Sequence, residues 1–215
     1  VYFRNQPLGC TSTIVYLMYQ ENKVEIDPQT AGLMMSAIIS DTLLFRSPTC
    51  TPEDEKAARE LAKIAGVDIE AYAMEMFAAG SNLKQKTDKE IFYQDFKIFT
   101  AGKIRFGVSQ VTSLNEEELD GLKERLLHFA KSALEKENLN MAFVMLTNIL
   151  RQDTILLAVG PRSGELINMA FSLESEKVVY TLHGESVEGY SARIPELVSR
   201  KKQLIPPLSL FAEQL

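Results

Sequence analysis

Three sets of side chains in this chain have types and settings from which chemistry could be built. Asp41 ends an apolar stretch, residues 30–39, that reads as a helix buried on most sides. A carboxylate at that end meets the negative pole of the helix macrodipole, a conflict that a neighbouring cation would remove. A metal ion is one such cation; the plainer reading is a turn aspartate bonded locally to Thr42 or Ser47. Ser199-Arg200-Lys201-Lys202-Gln203 sets three cations in succession. Arginine can grip two oxygens at once and lysine acts as a point charge, so the run could hold an anionic substrate. It equally fits a solvated edge strand guarded by charge, in which alternation sends Arg200 and Lys202 one way and Lys201 the other. Lys97, in Asp95-Phe96-Lys97, reads on its own as a surface lysine.

Other chemistry has little material. The two histidines, His128 and His183, have no second histidine or cysteine at ligand spacing, and neither is assigned a role. Cys10 and Cys50 lie far apart, fit no zinc pattern and read as plain thiols of a reducing compartment. The glycines form no dinucleotide or phosphate-loop pattern, and there is no nucleophile elbow.

The elements that must position these residues can be read from caps and periodicity. Small residues before Ile14, Leu17 and Met18 open a helix over residues 11–19. Asp27-Pro28 caps the apolar helix that ends at Asp41. Thr51-Pro52-Glu53-Asp54 supplies a hydroxyl cap, proline at the first helical position and first-turn acids, and Gly66 closes that helix. Asp68 opens another, closed by Gly80. The polar stretch that follows is the natural linker, dividing the chain into residues 1–80, a hinge at 81–87 and residues 88–215. Thr87 and Glu90 match a capping box. Beyond it, residues 103–111 alternate as a strand, 115–137 carry helical spacing, and 141–146, 155–159 and 177–182 are short apolar strands, with a helix over 164–171. Strands alternating with helices indicate an α/β fold class, layered in both halves.

Composition bounds the function classes. The chain has 215 residues, 46% hydrophobic and 24% charged, which suits a folded globular protein with a sizeable core. Its net charge of -6 argues against whole-surface attraction to nucleic acid or anionic membrane, so any anion site must be local. No apolar run is long enough to span a bilayer. The opening Val1-Tyr2-Phe3-Arg4 has neither an initiator methionine nor a signal-peptide order, and is expected to be a cut within a longer polypeptide.

Three separated strings carry a family resemblance: Pro7-Leu-Gly-Cys-Thr-Ser-Thr-Ile, Ala31-Gly-Leu-Met-Met-Ser-Ala-Ile-Ile-Ser-Asp-Thr-Leu-Leu-Phe-Arg-Ser-Pro-Thr-Cys-Thr, and Ser199-Arg-Lys-Lys-Gln with its following Pro-Pro. Together with Asp95-x-Lys97 they resemble family II inorganic pyrophosphatases, the manganese- or cobalt-dependent branch of the Asp-His-His phosphoesterases, over essentially the whole chain. The resemblance implies the remainder of an N-terminal parallel α/β metal-binding domain, then a smaller C-terminal mixed α/β domain, with an active-site cleft between them. It makes Asp41 a metal ligand and Lys97, Arg200 and Lys201 the cations that bind diphosphate; Lys202 matches in sequence but less clearly in role. It implies Mn²⁺ or Co²⁺ as cofactor, Mg²⁺ accompanying the substrate, and a cytoplasmic homodimer with no nucleic-acid or membrane partner. The family's other metal motifs, including the Asp-His-His string, are absent from this chain, so no catalytic residue is assigned and the chain alone is expected to be inactive. Two alternatives stand beside this reading: a polyphosphate or nucleotide phosphoesterase of the same superfamily, and a non-catalytic anion-binding regulatory module.

Overall fold

The computed structural model describes residues 3–80 and 83–215. The chain divides into two compact units, Val1–Gly80 and Ser81–Leu215. Ser81 and Asn82, within the expected 81–87 hinge, lie outside the described residues. Leu83–Gln85 forms a single 3-10 turn, and Leu83 is buried in the core of the second unit.

The described residues of the first unit fold into helices. Helix α1 (Thr11–Glu21) starts at Cys10, whose sulfur accepts from the Ser12 N–H. Helix α2 (Pro28–Thr42) starts at Asp27, with proline in its first turn. Helix α3 (Pro52–Ala65) carries the full Thr51–Asp54 capping box and stops at Gly66, whose φ of 73° suits a residue without a Cβ. Helix α4 (Ile69–Gly80) completes the unit. The buried side of α2, with Met35, Ile38 and Ile39, packs with Ala57, Ala58 and Leu61 of α3; the two alanines leave room for close approach. Past α2 the backbone turns through three consecutive left-handed residues, Leu43, Leu44 and Phe45, with φ of 50°, 49° and 66°. For side chains this bulky such a run is held only by its surroundings. The Thr42 hydroxyl helps, donating to the Ile38 carbonyl at 2.6 Å and accepting from the Phe45 N–H at 3.3 Å.

Asp54 ties these pieces together. It is 0% exposed, and its carboxylate accepts from the N–H groups of Gly9 (2.8 Å), Cys10 (3.3 Å) and Thr51 (2.8 Å) and from the hydroxyls of Thr13 (2.5 Å) and Thr51 (2.7 Å). One side chain thus caps its own helix and clamps the segment that leads into α1. A Cβ on Gly9 would stand 2.9 Å from that carboxylate, so the approach needs glycine.

The second unit is a six-stranded sheet in the order β1-β2-β3-β4-β6-β5. The strands are β1 (Phe96–Ala101), β2 (Ile104–Ser113), β3 (Met141–Asn148), β4 (Asp153–Val159), β5 (Glu176–Leu182) and β6 (Glu185–Pro195). Only β2 and β3 pair in parallel; the other neighbours are antiparallel. The chain between β2 and β3 crosses over through α6 (Glu116–Asp120) and α7 (Lys123–Lys136), as a parallel pair requires. Alternate residues of β3 serve two cores. Ala142, Val144 and Leu146 pack with α7 and α5 (Asp88–Gln94), whereas Met141, Phe143 and Met145 pack with α8 (Ser163–Phe171) and α9 (Ile205–Ala212). A strand covered on both faces must be apolar throughout, which is why residues 141–146 show no alternation.

The structure departs from the sequence expectations in several places. Residues 115–137 form two helices, not one, broken at Gly121; glycine costs a helix about 1 kcal/mol relative to alanine, and the break lets Leu119 and Leu122 both bury. Strands β1 and β6 and helix α9 were not anticipated. Layers of strand and helix occur in the second unit, and the described part of the first is helical. The basic run at 200–204 is not a strand but a five-residue π-helical turn leading into α9.

Replacing Asp54 should unfold the first unit preferentially. Burial opposes its ionisation, yet the hydrogen bonds from Thr13, Thr51 and Gly9 hold its pKa below the usual carboxylate value. A carboxylate with a lowered folded pKa contributes its full stability above the unfolded value of about 4 and loses it as pH falls through the folded value. Asp54→Ala is expected to cost about 3 kcal/mol at neutral pH in urea unfolding, and that difference from wild type should shrink below about pH 4. A difference independent of pH would count against the ionised clamp.

Candidate functional site

Each unit contributes its own residues. In the second, Lys97 is the second residue of the edge strand β1, exposed, with Val108 of β2 as its ladder partner. Arg200 reaches the same place from 103 residues further along the chain, an interval that follows from the two residue numbers. It is only 7% exposed. Its Nη1 donates to the main-chain carbonyls of Asp95 at 2.5 Å and Val108 at 3.4 Å, and its Nη2 donates to the Asp95 carboxylate at 2.6 Å. The guanidinium is therefore seated on the β1–β2 ladder beside Lys97.

The turn that delivers Arg200 is fixed from within. Ser199 caps it, its hydroxyl accepting from the Lys202 N–H at 3.3 Å. The Gln203 side chain folds back, accepting from the N–H groups of Val198 (3.0 Å) and Ser199 (2.9 Å) and donating to the Glu196 carbonyl at 2.7 Å. From β2, the Gln110 amide donates to the Val198 carbonyl at 3.1 Å. Strand geometry would have set Arg200 and Lys202 on one side and Lys201 on the other. The π-helical turn instead turns Arg200 inward and leaves Lys201 and Lys202 both exposed. Lys97, Lys201 and Lys202 stand in no ion pair among the described residues, so their charge is open to an anion. Gln110 was not singled out in the sequence and Gln203 was named only as the end of the basic string; the contacts of their amides depend on a turn that periodicity does not show.

In the first unit, Asp41 sits in the last turn of α2 and is exposed. The local hydroxyls expected to bond it are engaged elsewhere: Thr42 with Ile38 and Phe45, Ser47 with Thr49 at 2.7 Å. Its neighbour is the buried Cys10 thiol, which burial, and after it the hydrogen bond and charge of Asp41, push up to about 11. That thiol is a neutral donor at physiological pH. Among the described residues no group of three or more His, Cys, Asp and Glu side chains could hold a metal ion. Asp41 is thus a lone carboxylate, able to supply one bond to a metal but not a site.

Neither histidine joins the basic cluster. His128 of α7 is half-buried with its Nε2 2.9 Å from the Tyr180 carbonyl, and His183 occupies the β5–β6 turn with φ of 52°.

Residues 74–211 match the DHHA2 domain family. The chain is 44% identical over 214 residues to a Clostridium acetobutylicum protein named a probable manganese-dependent inorganic pyrophosphatase, covering 99% of this chain and 64% of that one. It is 43% identical over 209 residues to a cobalt-dependent inorganic pyrophosphatase of Clostridium perfringens, covering 97% of this chain and 36% of the other. The manganese-dependent inorganic pyrophosphatase of Bacillus subtilis shares 39% over 209 residues, covering 97% of this chain and 63% of its own length. A crystal structure from Methanococcus jannaschii, assigned to the family II inorganic pyrophosphatases, aligns with a TM-score of 0.78 at 33% identity over 95% of this chain and 65% of that one. This chain therefore spans less than two thirds of the length of each.

Both cysteines should resist alkylation in the folded protein. Cys50, like Cys10, is pushed up to about 11 by burial, then by the charges of Asp54 and Glu55. At pH 8 a thiol of that pKa is ionised in about one molecule in a thousand. Iodoacetamide is expected to label neither cysteine appreciably until denaturant is added, as peptide mass analysis would show; rapid native labelling of Cys10 would place it outside the Asp41 environment described.

Proposed function

We propose, from the premise that this chain belongs to the DHHA2 domain family, that it supplies the diphosphate-holding cations and one metal ligand of a metal-dependent inorganic pyrophosphatase. The observation that carries the reading is the seating of Arg200 beside Lys97 on the β1–β2 ladder, with Lys201 exposed on the same short turn. An acidic protein concentrates fixed positive charge in one spot, and diphosphate is a small, multiply charged anion that such a spot would bind.

In hydrolysis, water adds across the bridging P–O–P bond and two phosphates leave. Negative charge grows on the departing phosphate, and preorganised cations there lower the barrier because they need not reorient as the charge develops. Lys97, Arg200 and Lys201 are the residues given this task. The relatives' names point to Mn²⁺ or Co²⁺ as cofactor, and Mg²⁺ accompanying the substrate is part of the same proposal. Among the described residues no group of side chains by itself fits such a metal, Asp41 offering one carboxylate, and this reading assigns the further ligands to residues outside this chain. The division of labour is then a first unit, residues 1–80, carrying the ligand Asp41, and a second, residues 88–215, carrying the substrate cations, joined by a linker at 81–87. Homodimer formation and a cytoplasmic location belong to the same reading. The non-catalytic anion-binding module is the second reading, favoured by one observation: Lys97, Arg200 and Lys201 all lie in the second unit, whereas among the described residues no group of three or more His, Cys, Asp and Glu side chains could hold a metal ion.

Phosphate release under saturating Mn²⁺ or Co²⁺ tests the proposal, comparing the 215-residue chain with a protein extended through the Asp-His-His region. The extended protein should turn over diphosphate and the shorter chain should not. Lys97→Ala or Asp41→Ala in the extended protein should each lower kcat/KM by roughly 100-fold without a matching loss of folding stability. An inactive extended protein would sink the enzymatic reading in favour of the module. Fast turnover by the 215-residue chain would overturn the assignment of metal ligands outside it.

A further inference from the structure

Asp95 is the one carboxylate paired with the basic cluster among the described residues, and its placement is unusual for a residue beside an anion site. A guanidinium has five N–H donors. In Arg200, Nη1 uses its pair on the Asp95 and Val108 carbonyls and Nη2 uses one on the Asp95 carboxylate. Asp95 therefore takes the group end-on. The N–H of Nε and the second N–H of Nη2 lie together on the adjacent side edge, and no bond is recorded to them among the described residues. That edge is the shape that binds two oxygens of a phosphoryl group.

Burial supports the assignment. The Arg200 side chain is 8% exposed and that of Asp95 47%, so the carboxylate lies at the surface and pins a guanidinium that is sunk against the sheet. The same residue is fixed by its backbone, because its carbonyl also accepts from the Gln110 N–H at 3.1 Å just before β1 begins. Lys97 follows two residues later, so one short stretch sets both the guanidinium and the neighbouring ammonium.

We propose that Asp95 is a positioning residue: it occupies the end-on edge of Arg200 so that the side edge is presented, already oriented, to a diphosphate phosphoryl group. The proposal rests on the diphosphate reading above and adds to it the specificity device. It also makes a prediction opposite in sign to simple electrostatics. Removing a negative charge next to an anion site should tighten anion binding if charge alone matters. Removing a positioning group should loosen it.

The test is calorimetric or NMR titration of sodium diphosphate into the folded 215-residue chain, with thermal melts confirming the fold of each variant. Asp95→Ala should weaken binding at least tenfold despite the added positive charge, and Asp95→Asn, which keeps an acceptor of the same shape, should fall between it and wild type. In an Arg200→Lys background, where no fork exists to be oriented, Asp95→Ala should change affinity by less than twofold. If Asp95→Ala does not fold, the Asp95→Asn comparison in the two backgrounds carries the test. Equal or tighter diphosphate binding by the folded Asp95 variants would overturn the positioning role while leaving the diphosphate reading intact. A wild-type chain that binds no diphosphate would instead overturn that reading, and the positioning role with it.

Discussion

Keeping an arginine charged and nearly dry is the constraint around which the second unit is organised. A buried cation without partners is costly, so Arg200 is tolerated only because a carboxylate and two main-chain carbonyls meet it. Those carbonyls belong to the lead-in of β1 and to β2, which means the guanidinium can be satisfied only when that edge is in register. The turn must then present residue 200 at the correct depth. Gln203 and Gln110 do this through the backbone of residues 196–199, and the two prolines that follow commit the chain to α9. Sheet register, turn geometry and the seat of the cation are one arrangement.

The first unit solves the converse problem. Asp54 is a fully buried anion that stands in no ion pair among the described residues and is stabilised by the dipoles of five N–H and O–H groups. Hydrogen bonds to a charged acceptor are the stronger kind, and this set offsets the loss of water. Asp41, by contrast, keeps its carboxylate exposed and stands in no ion pair among the described residues. One acid is buried to hold the segment carrying Cys10 against α3; the other, beside Cys10, stays exposed at the end of α2.

Where local chemistry decides structure, the residues announced it. The caps at Asp27, Thr51 and Thr87 begin helices as their side chains require, and Gly66 ends one. The apolar runs of β3 and β4 are strands because both faces are covered. Strand β1 was illegible because an edge strand buries little and its alternation is weak. Strand β6 carries polar and small residues that make sense only against β4: a Cβ at Gly189 would come within 2.6 Å of the Ala158 carbonyl. The basic run was recognisable as three cations, but not as one seated guanidinium and two exposed ammoniums. That distinction depends on a π-helical turn whose stabilising bonds include partners on β2. The place of Asp41 at the end of an apolar helix was readable from the sequence, and its Cys10 neighbour was not, since 31 positions of chain separate the two by their numbering.

The bond between Arg200 and Asp95 joins residues 105 positions apart. A ribosome delivers the chain from its N-terminus at a finite rate, and long-range contacts wait on both partners. Strand β1 and Lys97 leave the ribosome 103 residues ahead of Arg200, the guanidinium that completes the cluster, an interval given by their numbering. Until then the Asp95 carboxylate stands beside Lys97 without its arginine. A nascent chain of this sequence therefore has no assembled grip on a polyanion while its strands are still pairing, and gains one only as the second unit closes.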